Sequence, residues 1–377
     1  MKTLLKIILA AVVLGALIYA ARYQSPQRKA FEASLAAAQQ GDVKAQLQLA
    51  KSYLTGTVVK PDLNQAITWY EKATAQGDAA AAYELAELYL SGEQIPRDIV
   101  TGVSYLKLAA SKDYAPAQYA LGRLYQTGTD SLPAHIGQAI WWWLHAADQA
   151  DADAQAALEM QQQENPDIVS QVQTLYEAHK KAQVGQSAAA LQLAQAYQNG
   201  TLLEKNEAQA FATYQIAASD EPQAQYALYE FYSRTDGPVP QDMDKALEYL
   251  QQAANGGLAQ AQYVVGDKIY QIAQTPQEYT IAAQWFDRAA AQNHAGALYM
   301  QGLMSMQGQG KPKNIKQALL SFKQAAELGY PDAQYVLGQS YLRGLGQKPN
   351  KTQAKKWLRL AQDNGHEQAA ELLTTIR

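Results

Sequence analysis

The side chains that most often carry chemistry are scattered along this chain rather than clustered. None of its five histidines shows the H-x-x-x-H spacing that places two metal ligands on one helix face. Glu84 and Glu87 lie three residues apart, which is common on solvated helix surfaces and does not indicate general acid–base catalysis. No G-x-S-x-G elbow or phosphate-binding loop occurs, and Gly308 and Gly310 fit a hairpin turn. The histidines are His135, His145, His179, His294 and His366.

The amino-acid composition excludes several classes of functional site. The 377 residues include no cysteine, which rules out disulfides, thiolate metal sites and a cysteine nucleophile. Lys and Arg number 31 against 35 Asp and Glu, and the formal net charge of −4 gives no basic footprint for nucleic acid. We therefore expect no enzymatic activity, no cofactor, no metal, no nucleic acid and no small-molecule substrate.

The elements that position these residues follow one pattern, seen most clearly from Gly329 to Gly365. Apolar residues at helical spacing follow Pro331 and end at Gly344, which predicts a first helix. Asn350 is the predicted N-cap of a second helix, whose apolar residues end at Gly365. We call the two helices of this hairpin helix A and helix B.

The same hairpin recurs through the chain. When hairpins are aligned on the small residue that corresponds to Ala333 in helix A, successive anchors are separated by 35 to 37 residues. Unrelated helices would not keep this period over such a length, so the chain is predicted to be all-α and built of repeats. The anchors are Ala45, Ala81, Ala117, Ala154, Ala189, Ala224, Ala261, Ala297, Ala333 and Ala369.

Other positions of this alignment also carry the same residue type in many repeats, and we call each such position a column. Eight residues after the anchor stands a tyrosine, as at Tyr125 and Tyr197, which we predict to be core. Eleven residues after it stands a glycine suited to a helix C-cap. Helix B is predicted to begin at N-cap residues Asp62, Asp98, Asn206, Asp242, Asn314 and Asn350.

The pattern AQYxLGxxYxxGxG, followed by a helix with Ala, Trp and Ala, resembles the Sel1-like repeat, a relative of the tetratricopeptide repeat. The resemblance covers roughly residues 41–377 and implies a right-handed α-solenoid that acts as a scaffold or adaptor. Bacterial relatives often serve in envelope assembly, secretion or signalling. About nine repeats and a terminal half repeat are predicted, with a degenerate fourth repeat near residues 150–184, where Asn165 and Pro166 open a longer helix that ends near Ala182.

A second set of tyrosines recurs in helix A, two residues after the anchor alanine. In tetratricopeptide geometry this position of helix A faces the concave groove, where tyrosine rings suit peptide recognition. The alternative is that these tyrosines pack between neighbouring A helices. Arg123 and Arg343 belong to the same predicted groove, whose other members are Gln195, Gln198, Asn199, Asp267 and Gln339. The tyrosines are Tyr83, Tyr119, Tyr226, Tyr263, Tyr299 and Tyr335.

Three consecutive tryptophans begin at residue 141. Trp142 and Trp143 fall on apolar positions of helix B and are predicted to be core, whereas Trp141 falls where other repeats carry polar residues. Trp141 is therefore either a partner-contact residue or packed against the degenerate fourth repeat.

The amino-terminal segment is apolar from Ile7 to Ala21, after Lys2 and Lys6 and before Arg22. Fifteen such residues rise ~22 Å as a helix, and snorkelling of the flanking cations brings the segment near the ~30 Å hydrocarbon thickness. We predict an uncleaved transmembrane anchor over residues 1–24, a capping helix over residues 25–40 and a solenoid over residues 41–377.

Together these features predict a single-pass protein of the bacterial inner membrane with its repeats in the periplasm. It is expected to bind a protein of the cell envelope as an adaptor, through the concave surface of the solenoid. Two alternatives remain open: a glycan or peptidoglycan binder that uses its Tyr and Trp rings as stacking platforms, and a cytoplasmic adaptor with inverted topology.

Overall fold

The computed structural model describes residues 11–15 and 26–376, and within them the chain is all-α and built of repeated helix pairs. It forms two compact units. The first unit contains the described residues up to Glu177 together with Gly200–Glu204, and the second contains Ala178–Asn199 and the chain from Lys205 onward.

The first unit begins with a single helix, which is followed by hairpins. Its helices are α1 Pro26–Gln39, α2 Val43–Thr55, α3 Leu63–Ala75, α4 Ala79–Ser91, α5 Ile99–Ser111, α6 Ala115–Thr127, α7 Ile136–Asp148 and α8 Ala152–Glu164.

The boundary between the units falls inside α9, Pro166–Gln183. The remaining helices are α10 Ser187–Asn199, α11 Glu207–Ala217, α12 Pro222–Ser233, α13 Met243–Asn255, α14 Ala259–Ile272, α15 Pro276–Ala290, α16 Ala295–Gln307, α17 Ile315–Glu327, α18 Pro331–Arg343, α19 Lys351–Asp363 and α20 Glu367–Thr374.

Helix ends lie where the sequence predicted them. Each predicted N-cap of helix B accepts a hydrogen bond from the backbone N–H three residues on, as Asn350 does from Gln353. The other predicted N-caps behave in the same way. Gly344 ends α18 with φ 70°, and a Cβ at this position would lie 2.8 Å from the Pro349 ring. Glycine therefore suits the turn for both its backbone conformation and its lack of a side chain.

The tyrosine and N-cap columns are joined at this turn. The N–H of Asp62 donates to the Tyr53 carbonyl oxygen at 3.0 Å, and the N–H of Asn350 donates to that of Tyr341 at 2.8 Å. The same bond recurs between Asp242 and Tyr232 at 2.9 Å. This hydrogen bond fixes the first residue of helix B relative to the last turn of helix A. The spacing between the tyrosine and the N-cap residue is therefore nearly constant.

Eight of the ten anchor alanines lie where helices pack closely, whereas Ala45 and Ala189 are half-buried. Ala81, Ala117, Ala154, Ala224, Ala261, Ala297, Ala333 and Ala369 are all fully buried. Glycines of helix A leave room for the aromatic rings of helix B, because Gly266 lies against Phe286 and Gly302 against Phe322, and both rings are fully buried. Phe31 and Ala38 of α1 join the core that includes Leu49 and Trp69.

Buried glutamines link successive hairpins. Gln118 is fully buried, its Nε2 donates to the Ala110 carbonyl at 3.2 Å, and its Oε1 accepts from Gln149 Nε2 at 2.8 Å. Equivalent bridges join Gln46 to Gln76, Gln262 to Gln292 and Gln334 to Asn364. Each bridge satisfies a carbonyl at the end of one helix B through a side chain of the next helix A.

The predicted transmembrane anchor over residues 1–24 lies largely outside the described residues. Only residues 11–15 of this segment are described. Among the described residues no helix is long and apolar enough to cross a membrane. The longest, α9, has 18 residues but carries Asp167 in its first turn and Lys180 and Lys181 in its last. The prediction of a single-pass inner-membrane protein with periplasmic repeats is therefore wrong on this finding.

Candidate protein-binding surface

The tyrosines two residues after the anchor are half-buried, and most of them contact the next hairpin. Tyr263 stacks on His294 with ring centroids 4.6 Å apart, and Tyr335 stacks on His366 at 4.1 Å. His294 and His366 are the N-cap residues of the following helix A. Tyr83 and Tyr299 contact the equivalent N-cap residues, Tyr114 at 5.5 Å and Tyr330 at 5.2 Å, with tilted rather than stacked rings.

Tyr119 and Tyr226 make different contacts. The backbone carbonyl of Tyr119 accepts a hydrogen bond from Trp143 Nε1 at 3.3 Å. The Tyr226 ring lies 5.5 Å from that of Tyr229, and its hydroxyl accepts from Gln260 Nε2 at 3.4 Å. At five of the six positions, a neighbouring side chain therefore sets the orientation of the tyrosine ring.

Burial favours the neutral hydroxyl at four of these tyrosines. Burial raises the pKa of Tyr83, Tyr226, Tyr263 and Tyr299 above the ordinary tyrosine value, and nearby carboxylates raise it further. A neutral hydroxyl both donates and accepts hydrogen bonds, which suits recognition of a peptide backbone.

Charged residues on the same helices are partly exposed. Arg123 and Arg343 are exposed near the ends of α6 and α18. Burial and the Glu84 carboxylate raise the pKa of Glu87, whereas Arg123 opposes this shift. Lys51 and Glu84 form an ion pair at 2.9 Å. The first unit therefore carries both signs of charge beside Tyr83.

Trp141 is a packing residue, so its assignment as a partner contact is corrected. It is 3 % exposed, and its ring lies 5.8 Å from that of Tyr176 and 5.1 Å from that of His145. Tyr176 belongs to α9, the long helix of the degenerate repeat, which supplies an apolar neighbour where the other repeats meet water. Trp143 is buried as predicted, and Trp142 is half-buried.

The Sel1 repeat family model matches eight segments that together make up more than half of the chain. The chain belongs to the Sel1 repeat family. The matched residues are 43–78, 79–114, 115–151, 187–220, 222–258, 259–294, 295–330 and 331–366, and they leave out residues 152–186, where the sequence predicted a degenerate repeat. Proteins of this family generally act as non-enzymatic scaffolds for protein–protein interaction.

Solved structures similar to this Sel1 repeat chain include a protective antigen present in uropathogenic Escherichia coli strains. That protein is 24 % identical, with a TM-score of 0.44 over 92 % of this chain and 90 % of that one. A Sel1 repeat protein from Oxalobacter formigenes is 25 % identical, with a TM-score of 0.29 over 93 % of this chain and 81 % of that one. No curated protein matches the chain.

Two histidines cap helices of the Sel1 repeats, a role that the sequence analysis did not assign. Nδ1 of His294 accepts the Ala297 N–H at 3.1 Å, and Nδ1 of His135 accepts the Gln138 N–H at 3.2 Å. Burial lowers the pKa of His294, so the neutral ring that can accept this bond is favoured. For His294 the signal was its position three residues before the anchor, and for His135 it was its position in the N-cap column of helix B, because aspartates occur at both positions in other repeats.

The loop between α10 and α11 contributes another contact that the sequence did not predict. Leu203 is fully buried in the first unit, and the Glu204 carboxylate accepts a hydrogen bond from the Tyr125 hydroxyl and pairs with Lys107 at 3.1 Å. The Glu204 N–H donates to Gln138 Oε1 at 2.8 Å. Burial and this carboxylate raise the pKa of Tyr125, which is a core residue as predicted.

Proposed function

We propose that this protein is an adaptor that binds a segment of a partner protein on the exposed side of its A helices, which we call the helix-A face. The observation that carries the proposal is the row of half-buried tyrosines on this face. The family assignment supports a scaffold role. The proposed contact residues are Tyr83, Tyr119, Arg123, Tyr226, Tyr263, Tyr299, Tyr335 and Arg343.

Rigid tyrosines make good binding residues for a physical reason. Rings such as Tyr263, held against His294, and Tyr299, held against Tyr330, have already lost most of their side-chain freedom. A partner that covers the remaining edge and hydroxyl therefore loses little further entropy on binding. Aromatic side chains of this kind contribute a large share of the binding free energy in protein interfaces.

An extended segment suits this face, because the tyrosines recur once per repeat and an extended chain can contact several of them within one unit. An envelope-assembly or secretion partner stays a hypothesis that rests on the resemblance.

Site-specific photocrosslinking in intact cells tests the proposal. Benzoylphenylalanine in place of Tyr119 or Tyr299 should give a discrete adduct with one protein. The matched controls are exposed apolar positions on B helices, Val100 in the first unit and Leu320 in the second. Adducts formed equally well from the helix B positions, or from these alone, would refute binding on the helix-A face.

A further inference from the structure

The loop between α10 and α11 lies in the first unit, although both helices that it joins belong to the second. Residues Gly200–Glu204 are part of the first unit, and we call them the strap. Polar contacts of the strap join residues that are 66 to 97 positions apart in the sequence. Successive anchors are only 35 to 37 residues apart, so the strap contacts repeats that are not its neighbours in the sequence.

The strap occupies a place on α7 that the degenerate fourth repeat leaves open. In that repeat Asn165 alone separates the two helices, so there is no loop between them. In a regular repeat the loop packs on the preceding helix B: a Cβ on Gly346 would lie 2.8 Å from Ile315 of α17. Leu202 corresponds to Gly346 in the alignment, and a Cβ on Gly137 of α7 would lie 2.1 Å from the Leu202 carbonyl oxygen. The strap therefore takes the position of the missing loop.

Three groups of the strap are held separately. Leu203 is fully buried, and the Glu204 N–H donates to Oε1 of the buried Gln138 at 2.8 Å. The Glu204 carboxylate accepts a hydrogen bond from the Tyr125 hydroxyl and pairs with Lys107 Nζ at 3.1 Å. Proteins that bind short extended peptides commonly recognise an apolar side chain, backbone polar groups and a carboxylate in this way. The first unit thus holds a segment of its own chain as it would hold a peptide.

The carboxylate contact is specific to the strap. Glu204 stands fifteen residues after its anchor, and no other repeat has an acidic residue at that position. Packing of a loop on helix B therefore does not by itself require a carboxylate. Lys107 also lies over the Tyr125 ring at 5.4 Å, which places its charge beside the hydroxyl that binds Glu204. The residues at this position in the other repeats are Lys60, Pro96, Leu132, Val169, Val239, Pro276, Pro312 and Lys348.

The strap can leave this place without loss of the helices that flank it. The side chain of Asn206 caps α11, and its N–H donates to the Tyr197 carbonyl oxygen of α10 at 2.9 Å. Neither bond involves the strap. The ion pair that holds the strap is also open to water, since the Lys107 and Glu204 side chains are 40 % and 46 % exposed. A competing carboxylate can therefore approach Lys107 while the strap is bound.

We propose that the strap occupies in cis a peptide-binding site of the first unit, and that a partner protein displaces it with a segment of the same chemistry. That segment carries a large aliphatic residue followed directly by Glu or Asp. The aliphatic side chain takes the place of Leu203, and the carboxylate pairs with Lys107 and the Tyr125 hydroxyl. The site uses none of the tyrosines proposed for the helix-A face, so the inference goes beyond the proposed function and does not depend on it.

The first experiment compares the purified full-length chain with a strap variant, Leu203→Ser, Glu204→Gln. A peptide of residues 198–206 is titrated to about 2 mM, the range of the effective concentration of a short tethered segment, and is followed by saturation-transfer NMR of its leucine methyl groups. The strap variant should bind the peptide at least about tenfold more tightly than the parent chain, in which the tethered strap competes. Circular dichroism checks folding. If the double variant loses helicity, Glu204→Gln alone, which keeps the buried leucine, is titrated instead.

Variants of the peptide test which group is recognised. Glu204→Gln in the peptide should weaken its binding to the strap variant by about tenfold, because a charge-assisted hydrogen bond is replaced by a neutral one. The control peptide, residues 342–350, is the equivalent loop of the repeat with anchor Ala333 and has Lys348 in place of the acid. It should not bind detectably.

A change on the receiving side tests the position of the site. Lys107→Met in the strap variant should weaken the parent peptide by about tenfold and leave the peptide with Glu204→Gln unaffected. The matched control is Lys112→Met, which removes the same charge from an exposed residue at the end of α5. A random peptide library panned against the strap variant should be enriched in an aliphatic residue followed by Glu or Asp, and Lys107→Met should abolish this enrichment.

Several results would overturn the inference. The peptide could fail to bind the strap variant, bind the parent chain equally well, or be bound no better than the control peptide. A library without enrichment of the aliphatic–acidic pair would overturn it as well. None of these results bears on the helix-A face, which is tested by crosslinking from Tyr119 and Tyr299.

Discussion

Replacing Gln118 by leucine should destabilise the hairpins on either side of it. The change removes the bond to the Ala110 carbonyl and the bond from Gln149 Nε2. Each is worth ~0.5–1.5 kcal/mol in net terms. The Ala110 carbonyl keeps the bond from the Asp113 N–H at 3.1 Å, and the exposed Gln149 amide turns to water. We therefore expect a loss of about 1–2 kcal/mol rather than the full penalty for two orphaned groups.

Other repeats provide natural comparisons for this substitution. In the repeat with anchor Ala297, buried Leu298 occupies the position that corresponds to Gln118. Leu328 of the same repeat occupies the position that corresponds to Gln149. Gln225 keeps the glutamine, but the equivalent partner position is Gly256 and its buried Oε1 has no hydrogen-bond partner among the described residues. Gln149→Leu should therefore cost less than Gln118→Leu, by analogy with Gln225. The double variant should cost less than the sum of the two single variants.

Hydrogen exchange followed by mass spectrometry measures the effect locally. A loss of 1–2 kcal/mol corresponds to roughly 5- to 30-fold faster exchange of protected amides in α6 and α7. Peptides from α14 and α18, which lie in the second unit, are the internal control. Unchanged exchange in α6 and α7, or single-variant effects that simply add in the double variant, would show that the bridge between Gln118 and Gln149 does not stabilise this hairpin.

Three further predictions concern single positions. Ala333→Leu should destabilise α18 and its neighbours by about 1–3 kcal/mol, since Ala333 is fully buried; an unchanged melting temperature would contradict this close packing. His294→Asn should remove a pH dependence: burial lowers the His294 pKa, so the stability that its neutral cap contributes above about pH 6.5 is lost as the pH falls through the folded-state pKa. Melts from about pH 7 to about pH 5 should therefore show a steeper decline for the parent chain than for the variant, and equal declines would contradict the capping role. Tyr299→Phe should change the melting temperature little but weaken partner binding, whereas Tyr125→Phe should destabilise the first unit by removing the bond to Glu204; calorimetry and titration of both variants check this contrast, and equal losses of stability would contradict it.

Local rules explain why so much of the hairpin could be predicted. N-cap residues such as Asp62 and C-cap glycines such as Gly344 act within one turn of the chain, so their spacing in the sequence is their spacing in space. The long helix after Pro166 was predicted for the same reason. Helix ends and the degenerate repeat therefore followed from the sequence.

Contacts between repeats were harder to predict, because periodicity shows which face a residue occupies but not which side chain it meets. Trp141 stood at a position that is polar elsewhere, and its burial depends on Tyr176 in an irregular helix. The glutamine bridges had a readable signal, since an amide follows Gln46 and Gln118 at 30 and 31 residues. That signal becomes clear once the paired positions are known to meet.

The predicted inner-membrane localisation was wrong for a different reason. It depended on the hydropathy of the first residues, with Lys6 and Arg22 at the flanks, whose apolar length is marginal for a membrane span. The described helices follow the opposite rule: their apolar residues form one stripe that is buried against neighbouring helices, as in α19 with Trp357 and Leu358. Localisation thus rested on one short segment, whereas the fold rested on a pattern repeated throughout the chain.

The tyrosine column shows why packing and binding need not exclude each other at one residue. The Tyr263 ring is held on one side by His294, which is the packing alternative considered from the sequence, while the side chain as a whole stays half-buried. Truncation to serine would remove the ring and its hydroxyl at once and lower stability together with any binding. Phenylalanine keeps the ring contact and removes the hydroxyl, so it separates the two roles. Because the ring that joins two repeats also carries the proposed contact, a partner bound at Tyr263 would be expected to stabilise the hairpins on both sides of it.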